Sequence, residues 1–342
     1  MMNKSKISKL IITLLIVVPL GLFYISIFLG RYPIEPLLVL KAFAAKIFHL
    51  DAWSAQIPDT INTVIFQVRL PRTLMAMLVG AALSVSGASF QGMFRNPLVS
   101  PDILGVSAAA GFGAALAILI SGNTATIQLF AFIFGLVGVI MAYALSRVHK
   151  STPILMLVLS GVVVSSLFSA LISIAKYVAD PFDKLPAITF WMMGSLSAIS
   201  LKDLITVVPA IALGIIGLLM VRWRLNVLAM GDEEARSMGV KTEMLKGLVV
   251  FCATVVTASS VCVSGMIGWV GLVIPHVCRM IVGPDHKVLL PTTLSVGASY
   301  LLIIDNISRT AISAEIPLGI LTAIIGAPFF GFLIRKTKGG WK

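Results

Sequence analysis

The sequence predicts an all-α polytopic membrane protein with about ten transmembrane helices and both termini cytoplasmic. Three observations predict it. Only 12% of the 342 residues are charged while 58% are hydrophobic, whereas soluble domains carry about 25% charged residues because water must solvate their surface. The apolar residues form unbroken runs of span length, and about 20 residues cross a hydrocarbon core as a helix. Barrel strands would instead alternate polar and apolar positions. Finally, the basic residues collect in the gaps between runs, mostly on one predicted side.

The first run, Leu10 to Leu29, follows Lys4, Lys6 and Lys9. No small-residue cleavage site closes it before Arg31, so it reads as an uncleaved helix and not a signal peptide. A polar loop of about forty residues, 31 to 72, comes next and is expected outside. Spans are then predicted at Thr73–Phe94, Ile103–Ile120, Ile127–Leu145, Ile154–Val178, Leu204–Met220, Leu248–Val263, Met266–Val282, Val288–Ile304 and Ile316–Ile334. Gly80, Ser84, Ala88 and Gly92 recur every fourth residue, as do Ser107, Gly111 and Ala115. Such stripes let helix backbones approach closely in lipid. With ten spans, 17 of the 26 lysines and arginines fall on the side of the termini, which makes that side cytoplasmic.

Several chemistries are excluded or left without support. The net charge of +12 is not gathered into a stripe, so no nucleic-acid partner is expected. Cys252 and Cys262 would lie about 15 Å apart along one helix, too far for a disulfide; with Cys278 they read as small buried residues. No Gly-x4-Gly-Lys-Ser/Thr phosphate loop occurs, and His49, His149, His276 and His286 lack metal-ligand spacing. No catalytic residues, metal site or cofactor are expected. No Asp, Glu or Lys sits mid-span, where an ion-coupled transporter would carry its protons or sodium. Pro275-His276 is expected to mark a helix end. Met75, Met77, Met192 and Met193 offer either a soft lining or gap-filling core.

The predicted cytoplasmic segment 222 to 246 contains Gly231-Asp232-Glu233-Glu234-Ala235-Arg236-Ser237-Met238-Gly239. Glu234-Ala235 followed by Gly239 fits a short helix with a glycine C-cap, a pattern shared with the docking loops of ATP-binding-cassette permeases. Other strings stand in order from residue 69 onwards. They are Arg69-Leu70-Pro71-Arg72, Gly80-Ala81-Ala82-Leu83, Ser86-Gly87, Asn96-Pro97-Leu98, Leu104-Gly105-Val106 and Trp191-Met192-Met193-Gly194. Beyond these come Gly271-Leu272-Val273-Ile274-Pro275-His276, Leu289-Leu290-Pro291, Glu315-Ile316-Pro317-Leu318-Gly319 and Gly326-Ala327-Pro328.

Taken together, these strings resemble the permease subunit of the BtuC/FecCD-like importers of cobalamin and ferric siderophores. The resemblance covers residues 69–342, and residues 1–68 add a first helix and an external loop to a single transmembrane domain. It implies an inner-membrane permease that pairs with a second copy of itself, two cytoplasmic ATPase subunits and an external substrate-binding protein. The implied cargo is a metal chelate, with a ferric siderophore first, cobalamin or haem next, and molybdate also compatible; an ion-coupled secondary transporter is the alternative. It also implies that the 231–243 loop seats in an ATPase cleft, with residues 231–239 as its coupling segment, and that Ser151 and Thr152 form part of a cytoplasmic gate. Arg69, Arg72 and Arg309, at external ends of spans, either snorkel to lipid headgroups or, as the resemblance implies, meet carboxylates of the binding protein, with Asp305 and Glu315 as helix caps or local partners of Arg309.

Overall fold

A computed structural model describes residues 4–49, 53, 57–147 and 152–336. The described residues are helical and contain no strand. In chain order the helices are α1 (Lys4–Phe28), α2 (Pro36–Phe48), α3 (Asp59–Phe94), α4 (Val106–Ile120), α5 (Thr124–Ser146), α6 (Ile154–Val178) and α7 (Lys184–Met193). There follow α8 (Leu201–Leu228), α9 (Asp232–Ser237), α10 (Thr242–Ser264), α11 (Val270–Val282), α12 (His286–Thr310) and α13 (Leu318–Lys336).

Six of these, α3, α5, α6, α8, α10 and α12, are long and apolar enough to cross a membrane, and α1, α4, α11 and α13 contain shorter apolar stretches. Burial sorts the long helices into two layers. In their most apolar windows α3, α10 and α12 are 78%, 83% and 61% buried, against 33%, 28% and 28% for α5, α6 and α8. The first three form the centre, and the others present apolar faces outward.

The central helices pack on small residues, as the stripes predict. A Cβ on Gly87 would stand 1.8 Å from the Gly271 carbonyl oxygen of α11, and one on Gly80 would stand 2.2 Å from that of Gly297 in α12. Only glycine permits backbones that close. Most hydroxyls of the buried, serine-rich half of α10 are satisfied internally, that of Ser259 excepted. Thr254, Ser260 and Ser264 donate to carbonyls one turn earlier at 2.6–2.8 Å, and Ser86 of α3 meets Thr257 at 3.0 Å. Hydroxyls bonded this way tolerate an apolar interior.

Three local expectations are corrected, and the predicted separation of the spans at 248–263 and 266–282 is kept. Arg69-Leu70-Pro71-Arg72 is not a turn: it lies inside α3, which runs 36 residues with a π-helical stretch over Val64–Arg69. Proline is accommodated there because it opens the α-helical segment that follows, where its missing N–H costs least. The third predicted span begins with a 3-10 turn, Pro101–Leu104, and Gly105 at φ 82° redirects the chain into α4. The nearly continuous run from 248 to 282 is broken between α10 and α11, where Gly265 and Trp269 both take positive φ. Pro275 and His276 lie within α11 and not at its end. Cys252, Cys262 and Cys278 are buried free thiols, and Met75 is fully buried core.

Candidate functional sites at the two ends of the bundle

At one end, α9 stands between two glycines that only a residue without Cβ could replace comfortably. Gly231 has φ 144° and Gly239 has φ 79°, both in the region L side chains avoid. Asp232, Glu233 and Glu234 fill the first turn and Arg236 the last, complementing the helix dipole at each end. The Gly239 N–H donates to the Arg236 carbonyl at 2.9 Å, which closes the helix. Ala235 is fully buried beneath α9, while Glu233, Glu234, Arg236, Ser237, Met238 and Gly239 face outward. The result is a short, stiff projection with a mixed charged and apolar face. Its helical form was legible in the sequence.

A cluster that the sequence reading passed over lies beneath this projection. Lys246, counted among the loop lysines, sits in the second turn of α10 with its side chain 2% exposed. Its Nζ forms a close ion pair with Asp232 of α9, lies 3.6 Å from Glu243 Oε1, and donates to the Thr152 carbonyl at 3.4 Å. Glu243 in turn accepts the Thr152 N–H at 2.8 Å through Oε2 and lies 3.6 Å from Arg236. Both backbone groups of Thr152 are therefore held by α10. Ser151, its predicted companion in the gate, lies outside the described residues.

The opposite end carries the three predicted arginines, each buried to 6% exposure or less. Arg69 donates through Nη1 to the carbonyls of Ile27 and Phe28, both at 2.9 Å, and through Nη2 to that of Tyr32. It thus caps the last turn of α1, where carbonyls have no helical partner. Arg72 pairs with Asp305 of α12 at 2.9 Å and with Glu315 at 2.8 Å. Arg309 donates to the carbonyl (2.7 Å) and hydroxyl (2.6 Å) of Ser26 and to Asn306, with Asp305 at 3.6 Å. Asp305 and Glu315 are local partners, then, but chiefly of Arg72. Nothing local in the sequence shows that these guanidinium groups point inward, because most of their partners are remote: Ile27, Phe28 and Tyr32 lie 37–42 positions from Arg69, Asp305 lies 233 from Arg72, and Ser26 lies 283 from Arg309.

This arrangement meets a clear match in known proteins. The FecCD transport family matches residues 14–336. The chain belongs to the FecCD transport family. Among relatives, this FecCD chain is 43% identical over 316 residues to the molybdate import system permease protein MolB of Haemophilus influenzae, covering 92% of each chain. It is 42% identical over 282 residues to a probable iron chelatin transport system permease protein of Helicobacter pylori, covering 82% of this chain and 85% of that one. A solved structure, described as an inward-facing conformation of a metal-chelate type ABC transporter, is 41% identical with a TM-score of 0.85, covering 96% of this chain and 99% of that chain. The FecCD chain is a multi-pass, membrane-embedded protein of the ABC permease fold, and the match does not favour the ion-coupled alternative.

Proposed function

We propose that this chain is the transmembrane permease of an ATP-driven importer, working as a homodimer with two cytoplasmic ATPase subunits and an external binding protein. The observation that carries this reading is α9, a stiff helix raised from one end of the bundle by two glycines of positive φ. A protein that lacks a phosphate loop needs such a handle if ATP is to move it. In this reading α1, α3, α4, α5, α6, α8, α10, α11, α12 and α13 all cross the membrane. Both termini and α9 are then cytoplasmic, and the arginine end faces outward.

Support for a pathway comes from α6. Ser166, Ser169 and Ser173 lie along one exposed stripe of a mainly apolar helix, and the hydroxyls of Ser166 and Ser173 are already bonded to carbonyls of their own helix. Such a lining is wet enough to pass a polar cargo yet offers it no strong ligand, as conduction requires. Two copies facing each other across this stripe would enclose the pathway, with Thr152 at its cytoplasmic end. The binding protein docks on the outer face that Arg69, Arg72 and Arg309 hold together. Their internal partners make these arginines the frame of that face, and its docking shape depends on them.

For the cargo we infer a metal chelate of the siderophore class. The Haemophilus influenzae relative, with its high identity and fuller coverage, favours a second reading, an oxyanion of the molybdate type. Titrating the cognate binding protein with ferric siderophores, cobalamin, haem and molybdate separates the two. In vesicles, uptake of the ligand it selects is expected only when ATPase, binding protein and ATP are all present. Uptake without the ATPase would contradict the importer reading.

A further inference from the structure

We infer that Lys246 and Glu243 form a strut that transmits movement of α9 to the backbone at Thr152; this rests on the reading of α9 as the coupling helix. Three facts carry it. Lys246 is among the largest fully buried side chains of the molecule, although its neighbours Asp232 and Glu243 are about one-third exposed. Its ammonium bridges two separate pieces of chain, through the carboxylate of Asp232 at the start of α9 and the carbonyl of Thr152. Glu243 completes the grip by accepting the Thr152 N–H at 2.8 Å.

The physics of burial turns this contact into a linkage. A buried ammonium separated from its carboxylate is left uncompensated in a poorly polarisable interior, which is strongly unfavourable. When α9 is displaced, the low-energy course is for Lys246 to follow Asp232. Lys246 and Glu243 lie three positions apart on one helix, so they move together and take both backbone groups of Thr152 with them. The charged groups facing Lys246 are Asp232 from α9 and Glu243 from α10. Arg236 stands behind Glu243 at 3.6 Å and ties the end of α9 to the same unit. No covalent chemistry is involved. Lys246 and Glu243 are positioning residues, acting on the gate through Thr152.

The test uses the complete transporter, permease with ATPase and binding protein, reconstituted in vesicles, and reads substrate moved per ATP hydrolysed. Lys246→Met is expected to assemble with the ATPase and hydrolyse ATP within about twofold of the unmodified protein, while uptake per ATP falls about tenfold, the scale of an ordinary coupling free energy. Lys246→Arg, which keeps charge and donors, should recover much of the ratio. An unchanged ratio in Lys246→Met overturns the strut, and so does a parallel loss of assembly, hydrolysis and uptake that leaves the ratio intact. Should Lys246→Met fail to insert, Glu243→Gln decides, because its partly exposed side chain still offers Thr152 an acceptor but removes the charge facing Lys246. Its ratio should fall about fivefold, and no change overturns the proposal. Gly239→Pro separates the two levels of the argument. Normal uptake in Gly239→Pro removes α9 from coupling altogether, whereas a dead Gly239→Pro beside an unaffected Lys246→Met removes only the strut.

Discussion

Asp305 is the residue on which the arginine end of the bundle depends most. Its carboxylate is fully buried and faces two guanidinium groups, Arg72 at 2.9 Å and Arg309 at 3.6 Å. Removing it leaves two buried cations with one partly exposed counter-ion, Glu315. Breaking a buried pair by deleting one partner costs about 3–5 kcal/mol, so Asp305→Ala is expected to lower the thermal midpoint in detergent and the inserted yield sharply. Glu315→Gln, whose side chain is 31% exposed, should cost far less. The two variants compared by thermal unfolding check this, and equal losses would contradict it. The same geometry changes what Arg69→Glu should do. From the sequence, its effect belongs to docking alone with expression unchanged. In the structure the substitution removes the donors that cap α1 and sets a carboxylate against three carbonyls, so a lower inserted yield should accompany any loss of docking. Arg69→Lys, assayed for binding-protein affinity in the folded fraction, keeps the charge while losing the fork.

Among the elements, α3 shows how much of the packing could be read in advance and how much could not. The small-residue stripe from Gly80 to Gly92 was visible as a four-residue period, and the structure uses Gly80 and Ser84 against Gly297 of α12. Overpacking a core typically costs about 1–3 kcal/mol or more when the obstacle is backbone. Gly87→Ala, whose methyl would meet the Gly271 carbonyl oxygen, should therefore destabilise far more than Gly268→Ala, which has open space. Thermal unfolding of the two variants tests the ranking. The continuation of α3 back to Asp59 was hidden, because Pro71 and the flanking arginines imitate a loop and the π-helical stretch leaves no compositional mark. Helix α7 was missed for a related reason: ten residues containing Pro186 carry too little periodicity. By contrast, α9 was legible because its acids, arginine and closing glycine are local signals. Its internal anchor was not, since a lysine at a predicted loop edge looks solvated until the fold buries it. Proline at 239 would remove the N–H bonded to Arg236 and cannot adopt φ 79°. Gly239→Pro is expected to insert normally, as seen by membrane fractionation and gel filtration, with the change confined to the end of α9.

For the whole molecule, composition and hydropathy were enough to give an all-helical membrane protein, and ordered short strings gave its family. The layering of α3, α10 and α12 inside α5, α6 and α8 left a trace in composition that the reading did not use: the inner helices have mean hydropathies of 1.6, 2.0 and 1.6 in their most apolar windows, the outer ones 2.3, 2.4 and 2.7. The proposed orientation rests on the bias of basic residues and is open to direct test. In a cysteine-free background, single cysteines replacing Ser121 or Asp180 should react with an impermeant thiol reagent from outside intact cells, and one replacing Ser237 should not. Labelling at 237 from outside would reverse the topology. The claim that joins both ends is that ATP hydrolysed on a separate subunit moves cargo through this chain by way of α9. Its most direct measurement is substrate uptake into vesicles holding the permease and its ATPase, with binding protein outside and ATP inside, for the unmodified chain and for Gly239→Pro. The expected result is uptake that requires ATP, ignores ionophores and is lost in Gly239→Pro while the binding protein still docks. Uptake that collapses with ionophores, or that persists at full rate in Gly239→Pro, would contradict it.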